Sequence, residues 1–365
     1  MTNTVTRAHR VERYDVVVIG GGQAGLAAGY WLLKHDIDFI ILDANPRIGD
    51  SWRNRWASLR LFTPARYTGL PGLAFPADPY HLPGREEVAS YLEWYATAFE
   101  LPVRSGVRVQ AVRRTGATYE IETGDRVYQA GNVIVATGPF QMPHVPAFSR
   151  EMAPHIVQLH SSEYREPSQL PDGDSLVVGA ANSGAQIALE LAPSKRVTLA
   201  GRSVGSLPRR LLGRDIFDWL SLTQMRLDAD SRLGRRLRRN VLGSSDALIG
   251  MTESDLLRAG VARGGRVTGV RDGLPTLEDG RSLDPASIIW CTGFRPDFSW
   301  IHAPVFGGDG HPIHRRGITS EAGLYFVGLR FQYRLNSSLI GGAGADAEFV
   351  VATIARRYGE SRTPP

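Results

Sequence analysis

Apolar runs and helical periodicities alternate along the chain, and the first clear unit lies near the N-terminus. The β-branched run that begins at Asp15 has the composition of a short buried strand. A helical pattern follows, and a second apolar run, Phe39–Leu42, ends at Asp43. Because residues 1–13 are polar and lack a periodic pattern, we expect a loose tail there. Residues 14–43 therefore predict a strand, a helix and a second strand.

Glycines separate the first strand from the helix at the G-x-G-x-x-G spacing of a dinucleotide-binding turn. Gly20 permits the tight turn, Gly22 lets the backbone approach a pyrophosphate, and Gly25 lets the helix pack closely on the strand. The helix N-terminus offers N–H groups to the phosphates, and Asp43 is placed to bond a ribose hydroxyl. The alternative is an incidental glycine-rich turn, but strand, turn, helix and acid fall in the expected order. We predict a dinucleotide site here, completed by Gln23, Ala24 and Ala44.

The same pattern returns in the middle of the chain. An apolar run over residues 175–178 leads into a turn bounded by Gly179 and Gly184, and a helix and another strand follow. Ala181 replaces the middle glycine, and its methyl group crowds the approach to a pyrophosphate. We predict a second dinucleotide site, with Asn182, Ser183 and Gly184 at the helix N-terminus.

The residues after the last strand of this second unit indicate which nucleotide it binds. No acid stands there; the chain instead continues with Arg202 and Ser203. An arginine and a hydroxyl at this place favour a ribose 2′-phosphate, and hence NADPH over NADH. The alternative interpretation is that Arg202 is an ordinary exposed arginine.

The remaining pattern predicts an α/β fold with two Rossmann-like dinucleotide-binding domains. Two buried strands end in Ala136-Thr137-Gly138 and in Thr292-Gly293, and such repeated endings are natural crossovers between two nucleotide-binding domains. We expect residues 14–146 and 286–365 to form the first domain, with the second domain, residues 147–285, inserted in it. Further strands are expected within 103–135, at 287–291 and at 324–328, and helices at 86–99 and 341–358.

The composition argues against several other classes of protein. The net charge of +5 is carried almost wholly by arginine, and the dense cluster over residues 235–239 is interpreted as a solvated helix face rather than a nucleic-acid site. Cys291 is the single cysteine, which excludes a disulfide scaffold, a dithiol redox pair and a cysteine zinc cluster; no metal site is predicted. No apolar run approaches 18 residues and the N-terminus lacks an apolar signal core, so we expect a cytoplasmic protein without membrane partners.

Taken together, these motifs resemble the class B flavoprotein monooxygenases, which include flavin-containing, YUCCA-type and Baeyer–Villiger monooxygenases and a short bacterial group. The likeness covers residues 14–358 and is greatest to the short bacterial and YUCCA-like members. It implies that the first glycine turn holds FAD and the second holds NADPH. The matching pieces are residues 20–25, 49–53, 58–64, 136–138, 182–184, 202–203, 292–297 and 323–328.

The resemblance also implies roles for residues outside the two turns. Ser51 and Trp52 are expected along the flavin, and backbone at Val109 is expected near the adenine end. The stretch that contains Arg60, Leu61, Thr63 and Pro64 is expected near the isoalloxazine ring, where Arg60 steadies a negative charge. A salt bridge to the FAD pyrophosphate or to another domain is an equal alternative for Arg60. The segment with Gln332, Asn336, Ser337 and Leu339 is expected at the pyrimidine edge, unless its polar groups only brace the loop.

One departure from the family concerns the linker between the domains, where the hallmark is F-x-G-x-x-x-H-x-x-x-[W/F/Y]. His160 and Tyr164 match this hallmark, whereas Pro154 and Ile156 replace its Phe and Gly. We therefore expect the linker backbone to differ from that of the family. His160 is predicted either to couple the domains during catalysis or only to bond backbone groups.

The function that the resemblance implies is an NADPH-dependent FAD monooxygenase. FAD takes a hydride from NADPH, reacts with dioxygen to a flavin hydroperoxide, and passes one oxygen atom to a small substrate by N- or S-oxygenation or a Baeyer–Villiger reaction. Arg60, Thr63 and His160 are the candidate catalytic residues. The alternatives are a flavin reductase or oxidase of the same fold, and a non-catalytic nucleotide sensor. We expect a monomer or a homodimer.

Overall fold

The computed structural model describes residues 10–243 and 247–362, and most of its strands are short. The longest strands belong to the first half of the chain, where the apolar runs are longest. In chain order the strands are β1 Arg10–Ile19, β2 Phe39–Leu42, β3 Val103–Arg104, β4 Val109–Thr115, β5 Thr118–Thr123, β6 Arg126–Val135, β7 Met142–Pro143, β8 Val157–His160, β9 Ser175–Val178, β10 Val197–Ala200, β11 Ser206–Leu207, β12 Arg210–Leu211, β13 Arg214–Asp215, β14 Leu248–Ile249, β15 Ala262–Gly264, β16 Val267–Arg271, β17 Leu274–Leu277, β18 Ser287–Trp290, β19 Phe294–Arg295, β20 Ile301–His302 and β21 Leu324–Phe326.

The helices confirm the periodicities of the sequence to within a few residues. The helix expected at 86–99 spans 85–98, and the one expected at 341–358 begins at 340 and continues to 362. The helices are α1 Gln23–Lys34, α2 Asp50–Arg53, α3 Arg85–Ala98, α4 Asn182–Leu191, α5 Ile216–Leu222, α6 Arg232–Gly243, α7 Glu253–Arg258 and α8 Ile340–Arg362, with short 3₁₀ turns at Ala65–Tyr67, Ala147–Glu151, Pro167–Gln169 and Gln224–Arg226.

The first domain is built on an eight-stranded sheet in the described part of the chain. Its order is β20-β4-β5-β6-β1-β2-β3, with β21 also paired to β6. Strands β1, β2, β6 and β21 run parallel, as expected when helices connect them. The sequence prediction of a tail over residues 1–13 is wrong at its end, because Arg10–Arg13 extend β1 and pair with residues 126–129. Polar side chains suit this extension because its strands are only half-buried; residues 1–9 lie outside the described residues.

The second domain has its own five-stranded sheet, in the order β15-β10-β9-β18-β8. Strand β18 pairs in parallel with both β9 and β8. The sequence analysis assigns residues 286–365 to the first domain, so the second sheet extends past that predicted boundary. An apolar run of four residues carries no signal of which of two similar sheets it will join.

Hydrophobic cores lie on both faces of each sheet. In the first domain, α1, α3 and α8 pack on one face, and Phe298, Ile301 and Val305 belong to the core on the other. In the second domain, α4 and α7 cover one face, and Met152 and Ile156 lie on the other. Trp56 and Leu59 belong to the first domain by sequence, yet they pack into the core beside α4. The segment after α2 therefore joins the two domains.

Hydrogen bonds hold this connecting segment against α4. The Arg60 N–H donates to Oε1 of Gln186 at 3.2 Å, and Nε2 of Gln186 donates to the Arg60 carbonyl at 2.9 Å. The Tyr164 hydroxyl donates to Oε2 of Glu190 at 2.8 Å, and the Ser58 N–H lies 3.3 Å from Oε1 of the same carboxylate. Gln186 and Glu190, one turn apart on α4, thus connect the first domain to the linker that contains Tyr164.

None of the helices in residues 10–243 and 247–362 combines the length and apolar character that crossing a bilayer requires.

Candidate active site

The first glycine turn has the geometry that its three glycines predict. Gly20 has φ +111°, and a Cβ atom there would lie 2.7 Å from the Ala136 carbonyl oxygen. A Cβ atom on Gly25 would lie 1.8 Å from the carbonyl oxygen of Gly20. A Cβ atom on Gly22, in contrast, would meet no protein atom within 4 Å. The space that Gly22 keeps clear is therefore not needed by the protein, which fits a turn that accommodates the pyrophosphate of a dinucleotide.

Asp43 follows β2 beside this turn, with its carboxylate largely buried. Its Oδ2 atom accepts a hydrogen bond from the Gly21 N–H, and its Oδ1 atom accepts one from the Asn45 N–H at 2.6 Å. The carboxylate therefore fixes the glycine turn as well as standing where an acid for the ribose is expected. The Oδ1 atom also accepts from Nδ2 of Asn45 at 2.9 Å, so only Oδ2 retains a further lone pair, and the ribose contact stays a prediction. Ala44 follows in the same loop.

The second glycine turn repeats the first at the carboxyl end of β9. Gly179 has φ +112°, and a Cβ atom there would lie 2.2 Å from the carbonyl oxygen of Cys291; a Cβ atom on Gly184 would lie 1.8 Å from the Gly179 carbonyl oxygen. The Asn182 side chain bonds elsewhere: Nδ2 donates to the Ala247 carbonyl at 2.9 Å and Oδ1 accepts from the N–H of residue 249 at 3.1 Å. Asn182 is therefore left with only its backbone for the predicted contact with the nucleotide, and Ser183 follows it in the same turn.

A cavity of about 260 Å³ opens beyond the ends of β9 and β10 in the second domain. Ser203 lines it, whereas Arg202 is exposed to solvent. Arg263, which the sequence analysis does not single out, also lines it and donates to the Leu199 carbonyl at 2.7 Å. Glu253 lies 3.7 Å from this guanidinium. The polar walls suit a ribose or a phosphate.

The two crossovers after β6 and β18 lie side by side. Strands β7 and β19 pair antiparallel, and Gln141 donates to Oγ1 of Thr137 at 2.7 Å. The Thr292 hydroxyl donates to the His144 carbonyl. Gly138 and Gly293 have φ of +69° and +84°, and Cβ atoms on them would meet nothing within 4 Å.

His160 ends β8 and is 2 % exposed. Its Nδ1 atom accepts from the Ser162 N–H at 3.1 Å, so the proton of the neutral ring resides on Nε2, which donates to the Gly293 carbonyl at 3.0 Å. Burial lowers the pKa of His160, which favours this neutral form. The geometry ties the linker to the second crossover through backbone groups, and a catalytic role for His160 stays a prediction.

The segment around Arg60 is predicted to lie near the flavin, but only some of its side chains are buried. The Arg60 side chain is 60 % exposed and pairs with Glu87 of α3 at 3.1 Å, within the first domain, so the salt bridge to another domain is not seen and the predicted role near the flavin stays a prediction. Ser51 is exposed on α2, while Trp52 and Leu61 are half-buried between the cores of the two domains. Val109 begins β4, and its predicted contact with the adenine end is backbone only.

A second cavity, which we call the main cavity, has a volume of about 540 Å³ and lies between the segment 63–74, the turn after α5 and the start of α8. Thr63 and Leu339, both predicted near the flavin, line it together with Asn336. Gln332 does not: it is 1 % exposed, and its Nε2 donates to the Phe326 carbonyl at 2.9 Å. Gln332 therefore braces the loop, the alternative that the sequence leaves open.

Three arginines that line the main cavity are not predicted from the sequence: Arg66, Arg226 and Arg334. They come from three separate parts of the chain, at no fixed spacing and in no motif. Only the packing of α8 and the turn after α5 on segment 63–74 brings them to one cavity. No signal in the sequence distinguishes them from the many solvated arginines of this chain.

Cys291 has no second cysteine in the chain with which to form a dithiol pair. It is the single cysteine of the chain, and it packs behind the second glycine turn. Burial raises the pKa of its thiol to about 12, so no thiolate forms near neutral pH.

The protein has two glycine turns of this geometry, one on each of two Rossmann-like sheets, and a cavity near the junction of the sheets. These features define an oxidoreductase that binds two dinucleotides. The sequence profile of the pyridine nucleotide-disulphide oxidoreductase family matches residues 17–210. An "Uncharacterized oxidoreductase CzcO-like" of Geobacillus kaustophilus is 42% identical over 93% of this chain and 98% of its own length. A probable indole-3-pyruvate monooxygenase, YUCCA3 of Arabidopsis thaliana, is 30% identical over 94% of this chain and 87% of its own length.

A solved structure has the same architecture. The flavin-containing monooxygenase from Stenotrophomonas maltophilia superposes with a TM-score of 0.77 at 27% identity, covering 95% of this chain and 99% of that one. The chain belongs to the pyridine nucleotide-disulphide oxidoreductase family, among its flavin monooxygenases. It is a flavin-dependent oxidoreductase with an FAD domain and an NADPH domain, as the sequence predicts.

Proposed function

We propose that this protein uses NADPH to reduce its FAD and then transfers one oxygen atom from dioxygen to a small organic substrate. The main cavity carries the proposal, because it offers room beside the predicted flavin residues Thr63 and Leu339. Dithiol chemistry offers no competing route within the protein, because the chain has one cysteine and the pKa of its thiol is raised. Reduced flavin must therefore react with an acceptor that enters from outside.

The residues of the two glycine turns bind the cofactors in this proposal. The turn of Gly20, Gly22 and Gly25, with the N-terminus of α1, binds the FAD pyrophosphate, and Asp43 bonds its ribose. When bound, FAD accepts a hydride from NADPH and, once reduced, activates dioxygen. The turn at Gly184 binds NADPH, and Arg202 and Ser203 bind its 2′-phosphate. The other proposed cofactor contacts are Gln23, Ala24, Ala44, Ser51, Trp52, Leu61, Val109, Ala136, Thr137, Gly138, Asn182, Ser183, Thr292, Gly293 and Leu339.

The walls of the main cavity limit the access of water to the reacting groups. Thr63 is 7 % exposed, and Leu70 beside it is 5 % exposed. A Cβ atom on Gly341 would lie 2.2 Å from the Tyr67 carbonyl oxygen, so α8 closes directly on this segment. His160 holds the linker to the second crossover, which keeps the nicotinamide domain in a fixed position relative to the flavin domain.

The experiment that tests oxygen transfer separates it from the reductase alternative. The FAD-loaded protein is reduced by NADPH without oxygen and then mixed with dioxygen, while flavin absorbance and hydrogen peroxide are followed. We expect the reduced flavin to disappear well before peroxide is released, with a longer delay when NADP⁺ is present. Peroxide release in one phase with flavin reoxidation would assign a reductase or oxidase, and would indicate the altered linker residues Pro154 and Ile156 as the reason.

A further inference from the structure

The main cavity has a strongly positive lining. Arg66, Arg226 and Arg334 line it, and no aspartate or glutamate is among the described residues that do. Asp218 lies just behind this lining: it pairs with Arg66 at 3.4 Å and accepts from the Tyr67 hydroxyl at 2.6 Å. One of the three positive charges is thereby compensated. Asp346 acts electrostatically on Arg334 but pairs with Arg316 at 3.6 Å, so among the described residues Arg334 and Arg226 have no ion-pair partner within 4.0 Å.

Arg334 is held in place but incompletely bonded. Oγ of Ser337 accepts from the N–H groups of Tyr333 and Arg334, at 3.1 and 2.9 Å, which fixes the turn that carries the arginine. The Nε atom of Arg334 is buried and has no hydrogen-bond partner. No carboxylate of the described residues lies within 4.0 Å of its guanidinium. Because buried donors are normally satisfied, this nitrogen indicates a missing acceptor.

Arg226 lies on another wall of the same cavity, in the 3₁₀ turn after α5. It is exposed, and within residues 10–243 and 247–362 it too has no carboxylate partner within 4.0 Å. A guanidinium offers parallel N–H groups that match a carboxylate better than any other common anion except phosphate. Two such groups facing one cavity therefore select a negatively charged ligand.

Besides polar side chains such as Thr63, Ser221 and Asn336, the lining has an apolar part. It includes Leu70, Leu73, Met225 and Leu339, so the cavity combines cationic and hydrophobic walls. Inorganic phosphate would leave these walls unused, whereas an organic acid satisfies both, with its body on the apolar side chains.

We propose that the main cavity binds a small organic carboxylic acid as substrate, with its carboxylate on Arg334 and Arg226. This inference rests on the proposed monooxygenase function, since it names the substrate class of the same site. Arg66 adds positive potential to the cavity but makes no direct contact with the ligand, because its guanidinium is already paired with Asp218.

Calorimetric titration of the FAD-loaded protein tests this inference independently of turnover. The probes are benzoate and its neutral isostere benzamide, and the flavin content of each preparation is measured first. We expect wild type to bind benzoate and to bind benzamide at least about tenfold more weakly, because a charge-assisted hydrogen bond contributes roughly 1.5–3 kcal/mol. Equal binding of the two probes, or binding of neither, would overturn the proposal.

Variants then test the assignment to particular arginines. Arg334→Met keeps most of the side-chain volume, and we expect it to weaken benzoate binding by about 10- to 100-fold while benzamide binding is unchanged. Arg226→Met provides the second variant, with a smaller effect because its site is exposed. Arg196→Met is the matched control, since Arg196 is 87% exposed in the second domain and away from this cavity. Benzoate binding that is unaffected in both cavity variants would overturn the assignment.

A preparation of wild type that retains no FAD would contradict the proposed function rather than this inference. Benzoate binding by such a protein with the Arg334 dependence intact would still support a site for organic acids. The two hypotheses are therefore distinguished by flavin content and by the benzoate-to-benzamide ratio.

Discussion

The three glycines of the first turn belong to one motif but differ in what the structure requires of them. Gly25 is needed by the protein, because any side chain would collide with the Gly20 carbonyl oxygen at 1.8 Å. Gly22 faces space that contains no protein atom within 4 Å. One glycine thus serves folding and the other serves the ligand, although the sequence motif treats them alike.

This difference predicts opposite phenotypes. Gly22→Ala should change the free energy of unfolding of the FAD-free protein by less than about 1 kcal/mol, because its extended backbone accepts an alanine at the helix N-cap. It should weaken FAD binding by at least about tenfold. Gly25→Ala should lower the free energy of unfolding by about 1–3 kcal/mol or more. Denaturant unfolding and FAD titration measure both quantities, and equal FAD affinity for Gly22→Ala and wild type would contradict the assignment.

His314 makes the stability of the first domain depend on pH. Its Nδ1 atom accepts from the Gly317 N–H at 3.1 Å, which requires the neutral ring. Burial, aided by Arg238, lowers the pKa of His314 from 6.5 to about 4. The unfolded chain therefore binds this proton first as pH falls, and the stabilisation that is complete above pH 6.5 decreases toward pH 4.

His314→Asn should reduce this acid sensitivity, because the amide oxygen replaces the acceptor without titrating. We expect its loss of unfolding free energy between pH 6.5 and about 4 to be smaller than that of wild type by up to about 3 kcal/mol. Urea unfolding across that range measures the difference. His311→Asn, at an exposed histidine of the same region, is the control and should follow the wild-type curve.

At the scale of elements, the start of α8 decides the shape of the main cavity. Small residues let this helix approach the segment 63–74 to within backbone contact. A Cβ atom on Gly341 would lie 2.2 Å from the Tyr67 carbonyl oxygen, and one on Gly344 would lie 2.5 Å from Cγ of Pro71. The periodicity of the sequence predicts this helix, but its role in shaping the cavity depends on the loop against which it packs.

Gly341→Ala should separate these two elements. We expect a free energy of unfolding lower by about 1–3 kcal/mol, because neither the backbone of α8 nor the Tyr67 carbonyl can yield cheaply. Gly308→Ala is the matched control, since its Cβ atom would meet nothing within 4 Å. Thermal and denaturant unfolding distinguish them, and an equal effect of the two substitutions would refute the close contact.

On the scale of the whole molecule, α4 is one of the elements through which the two domains contact each other. Its N-terminus belongs to the predicted NADPH turn, and Gln186, one turn further on, pairs with both backbone groups of Arg60. The predicted flavin stretch and the predicted nicotinamide site are therefore fixed to one helix. Because hydride transfer requires a set distance between the two cofactors, this contact bears on rate more than on stability.

Gln186→Ala should therefore slow reduction of the bound flavin by NADPH several-fold, while the free energy of unfolding falls by only about 1 kcal/mol. Stopped-flow reduction without oxygen measures the rate. Gln158→Ala is the control, because Gln158 also makes two hydrogen bonds, to Ser149 and Trp290, within the second domain. A reduction rate that is the same in both variants would exclude a coupling role for Gln186.

The sequence by itself determined what depends on local spacing. Both glycine turns, the strands before them and the helices after them follow from patterns within about 30 residues, because backbone sterics and periodicity act over that range. The two crossovers at Thr137 and Thr292 were predictable for the same reason. The class of protein followed from these pieces taken in order.

Tertiary structure decided what depends on residues far apart in the chain. It joined β18 to the second sheet, turned Arg60 toward Glu87, and placed Gln332 inside its own loop. It also brought three arginines, more than 250 residues apart at the extremes, to one cavity. Such contacts arise from the packing of whole elements, which side-chain periodicity does not encode, and so the ligand that this cavity selects could be inferred only from the folded chain.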